Sequence, residues 1–250
     1  IIKNFGNKEI SAVIGIGGGS ALDVAKFVAH KLHKIKIMVP TTFGSGSEVT
    51  RISVLKVDGK KKSFHDDDLF ADVALVDPTF AKTTHVDIIK NSAIDALAQC
   101  SEGYDSKIGN MYTRFMCEKA FGFVEEGILN NDHEKIAFGS LLSGLGFGNC
   151  STTLGHALSY VFSNEGISHG HALAFTTTVA HRFNNSIFYE RFTNIVKKLK
   201  FKEISLHQNI DMAADLILTD IKHLDNNPKN VTKDDVISLL KQIVNGCTFD

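Results

Sequence analysis

The sequence predicts an α/β domain built on a doubly wound parallel sheet, followed by a domain made only of helices. Two observations lead to this fold class. Up to about residue 84, short apolar stretches alternate with turns and a helical stretch, whereas later stretches carry apolar residues at helical spacing. The chain has 250 residues, 43% of them hydrophobic, which is enough for two modest cores. We therefore predict one domain over residues 1–84 and a second over residues 85–250.

The first domain is expected to contain a βαβ arrangement and a hairpin. Short apolar stretches bounded by turn residues are typical of buried strands, and a helix between two of them makes the strands parallel. Apolar and polar residues that alternate on either side of an Asp-Gly pair predict the hairpin. The predicted strands cover 11–16, 36–39 and 71–77, the helix covers 21–32, and the hairpin covers 52–62.

The second domain is expected to be entirely helical. Thr232 is followed by Asp235 three residues later, which predicts a capping box and a last helix that ends near Val244. An Asn-Asn-Pro sequence at 226–228 separates this helix from the preceding one. Because the two domains differ in architecture, a ligand cleft is expected at their junction. The other predicted helices cover 91–104, 111–129, 134–147 and 208–223.

Composition narrows the classes of partner and the cellular setting. Lys plus Arg number 27 and Asp plus Glu number 28, so the net charge gives no reason to expect nucleic acid or an anionic membrane as a partner. No apolar run has the roughly 20 residues of a membrane span. The four cysteines contain no CxxC pair, which favours reduced thiols in a cytoplasmic protein. The chain opens at Ile1 in a polar stretch close to a buried strand, so part of the first domain is expected to precede it.

A glycine-rich loop joins the first predicted strand to the first predicted helix. Its three consecutive glycines, Gly17, Gly18 and Gly19, let the backbone approach a ligand closely. Ser20 is expected to cap the helix, with Asp23 reaching back from the third helical position. Exposed backbone N–H groups at a helix N-terminus form an anion site that suits a pyrophosphate. The alternative is a tight turn that binds nothing, since Ser20 replaces the final glycine of the standard dinucleotide motif.

A second loop follows the next predicted strand at the same edge of the sheet. Residues 40–48 (PTTFGSGSE) contain several hydroxyl groups and two glycines. The carboxyl ends of parallel strands are where α/β sheets bind ligands. Two loops of this kind at successive strands therefore favour a nucleotide site over two turns without a ligand.

A carboxylate, an amide and two histidines form the candidate metal site. Asp95 and Gln99 are four residues apart in an apolar helical stretch, so both side chains leave the same face. A buried carboxylate needs a partner, and His156 and His169 supply imidazoles that suit zinc or iron(II). The alternative is a capping aspartate and separate core histidines. Tyr160, one turn after His156, is expected to line the same pocket.

Several motifs in a fixed order carry a family resemblance over residues 10–184. They are GGGSALDVAK, PTTFGSGSEVT, ALVDP, DALAQCSEGY, HALSY and SHGHALA. In this order they resemble the iron-containing alcohol dehydrogenase family. The resemblance implies a nucleotide-binding domain and a helical metal domain with the active site between them. It places Gly17, Gly18, Gly19 and Ser20 at the pyrophosphate, Thr41, Thr42 and Ser45 along the cofactor, Asp23, Thr50 and Lys61 (or Lys62) beside it, and Asp95, Gln99, His156 and His169 at the metal.

The sequence departs from the family pattern at two positions of the predicted site. The second metal ligand of the family is usually histidine, whereas Gln99 stands here, and an amide oxygen binds a borderline divalent ion less well. Glutamine at this position is similar to the branch that includes phosphonoacetaldehyde reductases, as is the SHGHALA motif. The histidine often found one turn after the first histidine ligand is replaced by Tyr160. The residue that reads the adenosine ribose is expected before Ile1, so the choice between NAD and NADP stays open.

The resemblance implies hydride transfer between NAD or NADP and a small alcohol or aldehyde. A bound Fe²⁺ or Zn²⁺ ion would act as a Lewis acid on the substrate oxygen, and Tyr160, His171 or a water chain would move the proton. Relatives of the same fold leave a glycerol dehydrogenase-like or a non-redox dehydroquinate synthase-like enzyme open. A non-catalytic homologue is a further alternative, because Gln99 departs from the pattern. Family members often form dimers through the first domain, so a homodimer is consistent with the resemblance.

Overall fold

The described residues, 1–5, 9–57 and 60–249 of the computed structural model, place every described strand before residue 86. These strands are β1 (Ala12–Gly17), β2 (Ile35–Pro40), β3 (Ile52–Val57), β4 (Lys60–His65) and β5 (Val73–Ala74). β2 lies between β1 and β5, and both pairs are parallel, as the alternation of strands and helix predicts. β3 and β4 form the predicted antiparallel hairpin, whose Asp-Gly turn at 58–59 lies outside the described residues.

Helices make up most of the described chain after residue 85. From the N-terminus they are α1 (Ile2–Phe5), α2 (Gly19–Leu32), α3 (Val86–Asp105), α4 (Met111–Asn130), α5 (His133–Phe147), α6 (Leu154–Asn164), α7 (His169–Asn184), α8 (Tyr189–Leu199), α9 (Ile210–Leu218), α10 (Ile221–Asn226) and α11 (Lys233–Val244). α3 packs against α4, α5 and α7 at the centre of the helical core. An α/β half followed by a helical half confirms the predicted fold class, while the domain boundary between residues 84 and 85 stays a prediction.

Two simpler expectations from composition can be compared with the structure. No helix in the described part of the chain has the length and apolar character to cross a membrane. Each of the four cysteines is a free thiol, and three of them are buried. Free buried cysteine packs as a small apolar residue, and Cys100 and Cys117 belong to the helical core.

The loop between β1 and α2 differs from the expected cap. Gly18 is the N-cap of α2, its backbone is extended, and no side chain caps the helix. Ser20 lies inside the first turn, and the carboxylate of Asp23 accepts hydrogen bonds from Ser47 Oγ (2.6 Å) and the amide of Val54 (3.1 Å). The expected cap is therefore wrong, because donors from distant segments compete for the aspartate.

Two predicted elements are shorter than expected. The strand predicted over 71–77 is limited to β5, because Asp77 accepts from the amide of Thr79 and a 3₁₀ helix begins there. The helix predicted over 208–223 is divided into α9 and α10, since the backbone of Asp220 leaves the helical region (φ −85°, ψ 61°). The predicted capping box at the start of α11 is present.

A buried lysine fastens the hairpin to α2. Lys26 is fully buried, and its ammonium donates to the carbonyl oxygens of Thr50 (3.0 Å) and Ile52. The same ammonium lies 3.8 Å from Asp23 Oδ1, and Ser53 Oγ donates to the carbonyl oxygen of Asp23 (3.1 Å). These contacts hold β3 and the loop before it against α2. The second predicted cofactor loop is therefore fixed at the carboxyl end of β2.

Candidate metal and nucleotide site

Three helices bring an aspartate and two histidines together. Asp95 lies in the middle of α3, His156 in the first turn of α6, and His169 at the first residue of α7. His156 Nε2 is 3.7 Å and His169 Nε2 is 3.8 Å from Asp95 Oδ1, and one ligand atom from each residue lies within 4.8 Å of the others. These atoms are close enough to share one Zn²⁺ or Fe²⁺ ion, whose bonds to such ligands measure about 2.0 to 2.2 Å. One oxygen and two nitrogen donors fit either ion.

Gln99 stands one turn after Asp95 and faces the same cluster. Its Nε2 donates to Asp95 Oδ1 (3.0 Å) and lies 3.5 Å from the carbonyl oxygen of Ser45. Its Oε1 is buried and has no hydrogen-bond partner among the described residues. A buried amide oxygen without a donor is unusual, and a rotated amide would aim this oxygen toward the cluster. Gln99 thus has an available oxygen at the position of a fourth, weaker ligand.

Glu102 supports His156 on the side away from the other ligands. Its Oε2 lies 3.2 Å from His156 Nδ1 and accepts hydrogen bonds from the amide and the hydroxyl of Thr153, while Oε1 accepts from Thr177. Burial by itself would raise the pKa of this carboxyl, but the charge and hydrogen bond of His156 and the Thr153 amide lower the pKa to about 2. A carboxylate on the second nitrogen of a metal-binding histidine fixes the ring and its tautomer.

The site residues predicted from the sequence do not include Glu102, although this residue lies in the same predicted helix as Asp95 and Gln99. The residue lies seven positions after Asp95, which is about two turns of α3, so both side chains share one face. A carboxylate in this otherwise apolar stretch needs a partner when it is buried. That requirement, together with the shared helix face, is the signal in the sequence that points to Glu102.

His156 lies between two carboxylates, and its pKa is raised to about 9. Burial alone would lower the pKa, but the charge of Glu102 and the hydrogen bonds to Asp95 and Glu102 outweigh burial. Without an ion, the ring therefore carries a proton at neutral pH. A divalent ion at Nε2 would take the place of that proton.

Two more rings lie beside the histidines of the cluster. The ring centroid of Tyr160 is 6.5 Å from that of His169, and the centroid of His223 is 6.4 Å from that of His156 and 6.0 Å from that of Tyr160. Burial, followed by the charge of Asp220, raises the pKa of Tyr160, so the phenol stays protonated and can donate. His223 Nδ1 pairs with Asp220 Oδ2 at 2.7 Å. This contact selects the tautomer in which Nε2 is the accepting nitrogen.

The sequence offers little sign of His223, because 208–223 is predicted as one continuous helix. In the structure, Asn226 anchors α10 by donating to two carbonyl oxygens, at 2.8 and 3.1 Å, in the loop just before α6. The helix that carries His156 and the helix that carries His223 therefore share one anchor. The Asp-x-x-His spacing of Asp220 and His223 is the local indication of the pair.

His171 does not join the cluster. Its Nε2 lies 2.5 Å from the carbonyl oxygen of Lys202, and its ring lies beside Phe175 and Phe201. Because it follows His169 by two residues on α7, its side chain leaves the helix on a different side. These contacts argue against the predicted proton-transfer role of His171.

The two predicted cofactor loops lie against each other at the carboxyl ends of β1 and β2. Gly17 has a φ of 146°, a conformation that residues with a side chain rarely adopt. A Cβ on Gly18 would come 2.9 Å from Thr42 Oγ1, and a Cβ on Gly19 would come 2.6 Å from Ser45 Oγ. The packing therefore favours glycine here, and no side chain caps the backbone N–H groups at the start of α2. The predicted cofactor residues of the two loops are Gly17, Gly18, Gly19 and Ser20 in the first and Thr41, Thr42 and Ser45 in the second.

The residues predicted to lie beside the cofactor have other contacts in the structure. Asp23 and Thr50 are buried, with 9% and 2% of their surface exposed, and both belong to the contacts that fasten the hairpin to α2. The ammonium of Lys62 lies 5.5 Å from the ring centroid of Phe64. For Lys61 the structure describes the backbone within β4, and its predicted cofactor contact lies outside the described residues.

Family models cover both halves of the chain. Residues 1–78 match the model for iron-containing alcohol dehydrogenase, and residues 89–217 match the C-terminal model of the Fe-containing alcohol dehydrogenase family. The chain belongs to the iron-containing alcohol dehydrogenase family. This membership confirms the resemblance that the ordered motifs carry.

Curated relatives of this family member include dehydrogenases of several named kinds. The 4-hydroxybutyrate dehydrogenase of Clostridium kluyveri is 35% identical over 201 residues, which cover 69% of this chain and 54% of that protein. The long-chain-alcohol dehydrogenase 1 of Geobacillus thermodenitrificans is 34% identical over 196 residues, which cover 66% of this chain and 50% of that protein. The chain spans about half the length of the curated relatives it matches.

Solved structures share the fold at low sequence identity. The iron-containing alcohol dehydrogenase of Thermococcus thioreducens has a TM-score of 0.87 at 22% identity, with 98% of this chain and 79% of that chain covered. The sulfoacetaldehyde reductase of Bifidobacterium kashiwanohense, solved in complex with NAD+, has a TM-score of 0.86 at 23% identity, with 97% and 78% covered. The expected branch of phosphonoacetaldehyde reductases receives no specific support from these relatives.

Proposed function

We propose that this chain carries the catalytic site of a metal-dependent, NAD(P)-dependent alcohol dehydrogenase, which moves hydride between the nicotinamide and a small alcohol or aldehyde. The observation that carries this proposal is the placement of Asp95, His156 and His169 on three helices, with ligand atoms within 4.8 Å of one another. The loop after β2 meets this cluster through the contact between Gln99 and the Ser45 carbonyl oxygen (3.5 Å). Metal-binding side chains next to predicted nucleotide-binding loops indicate an ion that takes part in hydride transfer rather than one that only stabilises the fold.

Asp95, His156 and His169 would hold Fe²⁺ or Zn²⁺, with Gln99 as a weaker fourth donor. The chemistry that such an ion supplies when bound is polarisation of the substrate oxygen. Glu102 orients the His156 ring from a fully buried position. Three firm protein ligands and one weak one leave room for a substrate oxygen, as catalytic sites require.

Tyr160 and His223 are placed to handle the proton of the alcohol. Burial keeps the phenol of Tyr160 protonated, so it donates a hydrogen bond to the substrate oxygen. His223, with Nδ1 held by Asp220, accepts a proton at Nε2 when the alcohol is oxidised and returns it when the aldehyde is reduced. This assignment replaces the one to His171, whose ring nitrogen faces the Lys202 carbonyl oxygen.

The proposed cofactor is NAD or NADP, with its pyrophosphate at the start of α2. The relative solved with NAD+ supports a nicotinamide cofactor. The names of the curated relatives cover a hydroxy acid, a long-chain alcohol and 1-propanol. An alcohol or its aldehyde is therefore the substrate class that these relatives share. A homodimer is also proposed, on the family resemblance alone.

Elemental analysis of the full-length protein, purified without chelator, tests this function first. We expect about one iron or zinc ion per chain, and we expect Asp95→Ala and His169→Ala to lose it. His171→Ala is the matched control. This histidine is two residues after His169, but its ring contacts the carbonyl oxygen of Lys202 and not the metal ligands. Variants that lose the metal should reduce aldehydes at least about a hundredfold more slowly with NADH or NADPH.

Three outcomes would contradict the proposal. A folded protein that takes up neither iron nor zinc under reducing conditions would favour a non-catalytic homologue. If the metal-free protein reduced aldehydes as fast as the metal-loaded protein, the metal would have no role in the reaction. A protein that binds metal and nucleotide yet transfers no hydride to any aldehyde would favour a non-redox enzyme of the same fold.

A further inference from the structure

Basic side chains from both halves of the chain meet where the hairpin approaches α10. Lys222 Nζ, on α10, lies 3.1 Å from Nε2 and 3.3 Å from Nδ1 of His65, at the end of β4. Arg51, which directly precedes β3, lies beside the end of β4, because its carbonyl oxygen accepts a hydrogen bond from the amide of Asp66 (3.2 Å). All three side chains are exposed, so a ligand from solvent can reach them.

The positive charges of Arg51 and Lys222 act on the other members of this basic cluster (Arg51, His65 and Lys222). Partial burial, followed by the charges of Lys222, Arg51 and His223, lowers the pKa of His65 to about 4. Burial and the charge of Arg51 lower the pKa of Lys222 against the opposing charge of Asp220. The remaining positive charges, on Arg51 and Lys222, repel each other. An anion placed among them is therefore favoured.

Neither of the two carboxylates beside the basic cluster pairs with Lys222. Asp67 Oδ1 pairs with Arg51 Nη1 at 2.8 Å, and Asp220 Oδ2 pairs with His223 Nδ1 at 2.7 Å. Lys222 forms no ion pair within 4.0 Å with any carboxylate in the described ranges. A lysine ammonium has three donor hydrogens, and the contact with the His65 ring uses one. Two donors of Lys222 thus remain for an anion.

The basic cluster lies next to the proposed site of hydride transfer. Lys222 immediately precedes His223, whose ring centroid is 6.4 Å from that of His156 and 6.0 Å from that of Tyr160. Asn226 holds the end of the same short helix against the loop before α6. The charge of His223 also acts on His65, so a substrate that joins the metal ligands to the basic cluster would extend past His223.

Resting on the proposed dehydrogenase function, we propose that the substrate is a short aldehyde acid or the matching hydroxy acid, whose anionic end is bound by Lys222 and Arg51. His65 positions Lys222 by accepting one of its hydrogen bonds. The bound group is a carboxylate or an anion of similar charge. A phosphate of the nicotinamide cofactor is the other source of such an anion, and the experiment separates the two.

The test compares a four-carbon aldehyde acid with butanal, the uncharged aldehyde of the same length, on the metal-loaded full-length enzyme. We expect kcat/KM to be at least about tenfold higher for the acid, because a charged hydrogen bond is lost with butanal. Lys222→Met keeps the stem without the charge and should lower the acid-to-butanal ratio of kcat/KM at least about tenfold, chiefly through KM for the acid. Lys222→Arg should recover part of this ratio. Lys233→Met is the control, because Lys233 pairs with Asp215 and should leave the ratio unchanged.

Equal kcat/KM for the acid and butanal in the unmodified enzyme would overturn this substrate assignment and leave the dehydrogenase function in place. A higher KM for NADH or NADPH in Lys222→Met, with the acid-to-butanal ratio unchanged, would assign the basic cluster to a cofactor phosphate and overturn it as well. Failure of the metal-loaded enzyme to reduce any aldehyde would contradict the proposed function itself, and the substrate assignment with it.

Discussion

The helical half and the α/β half each contain a buried carboxylate beside the site, and the two groups behave in opposite ways. For Glu102, in the helical half, the charge of His156 and the amide of Thr153 overcome burial and lower the pKa to about 2. For Asp23, in the α/β half, burial prevails over the charge of Lys26 and raises the pKa. Both groups are screened from water, so the charges and donors that face each carboxylate decide the difference.

The difference between the halves shows two uses of a buried charge. In the helical half, a carboxylate that stays ionised holds a predicted metal ligand in one orientation. In the α/β half, Lys26 and Asp23 fasten α2 to the hairpin, and no side chain caps the backbone N–H groups at the start of α2, where the pyrophosphate is proposed to bind. Changes in the helical half should therefore affect metal binding, whereas changes to Lys26 should affect folding.

The largest effect is expected from Lys26→Met. Removing this ammonium leaves Asp23 and Glu48 buried without their positive partner, so the free energy of unfolding should fall by about 3 to 5 kcal/mol. Urea denaturation measures the change, and Lys31→Met, an exposed position on the same helix, should stay within about 0.5 kcal/mol of the unmodified protein. If Lys26→Met lost the metal but kept the stability of the unmodified protein, Lys26 would act on metal binding and not on folding, and the proposed difference between the two halves would be wrong.

The next largest effect is expected from Glu102→Gln. The substitution keeps the shape but removes the charge that orients His156, so the metal dissociation constant should weaken about 10- to 100-fold. Competition with a coloured chelator measures it. Glu118→Gln, an exposed glutamate on α4, is the control and should bind metal normally. Unchanged affinity in Glu102→Gln would mean that a neutral side chain at this position orients His156 as well as the carboxylate does.

Metal binding should depend on pH through His156. Its pKa of about 9 means that an ion must displace a proton below that pH, so the apparent affinity should rise about tenfold per pH unit between roughly pH 7 and pH 9. The metal-free protein should show the opposite trend. The raised pKa of His156 contributes to the free energy of unfolding of the metal-free protein. This contribution is fully present below pH 6.5 and is lost as the pH rises through 9. Affinity that stays flat over this range would contradict the charged state of His156.

The smallest effect is expected from Gly19→Ala in the glycine loop. The new Cβ would come 2.6 Å from Ser45 Oγ and push the two loops apart, so KM for the nicotinamide cofactor should rise roughly three- to tenfold through lost backbone contacts. Metal content should not change, because the ligands lie on other helices. Gly122→Ala is the control, since nothing lies within 4 Å of a Cβ there. An unchanged KM for the cofactor would contradict the proposed binding of the pyrophosphate at the start of α2.

Patterns that span a few residues predicted the elements whose partners are near in the chain. The strand, glycine loop and helix from β1 to α2, the hairpin and the Thr232 capping box all depend on contacts of this kind. The same holds for Asp95 and Gln99, because a spacing of four places two side chains on one helix face. The expected cap by Asp23 failed where Ser47, 24 residues away, competed for the same carboxylate.

The sequence by itself determined the family motifs, the alternation of strands and helices, and the residue types that offer ligands to a metal and a nucleotide. Only the tertiary structure decided which of them meet: Glu102 lies on His156 across 54 residues of sequence, and His223 faces the same ring from α10. The tertiary structure also decided that the ring of His171 contacts the carbonyl oxygen of Lys202. The reason is physical, since local spacing sets the face from which a side chain leaves its helix, while the packing of distant helices sets what that face meets.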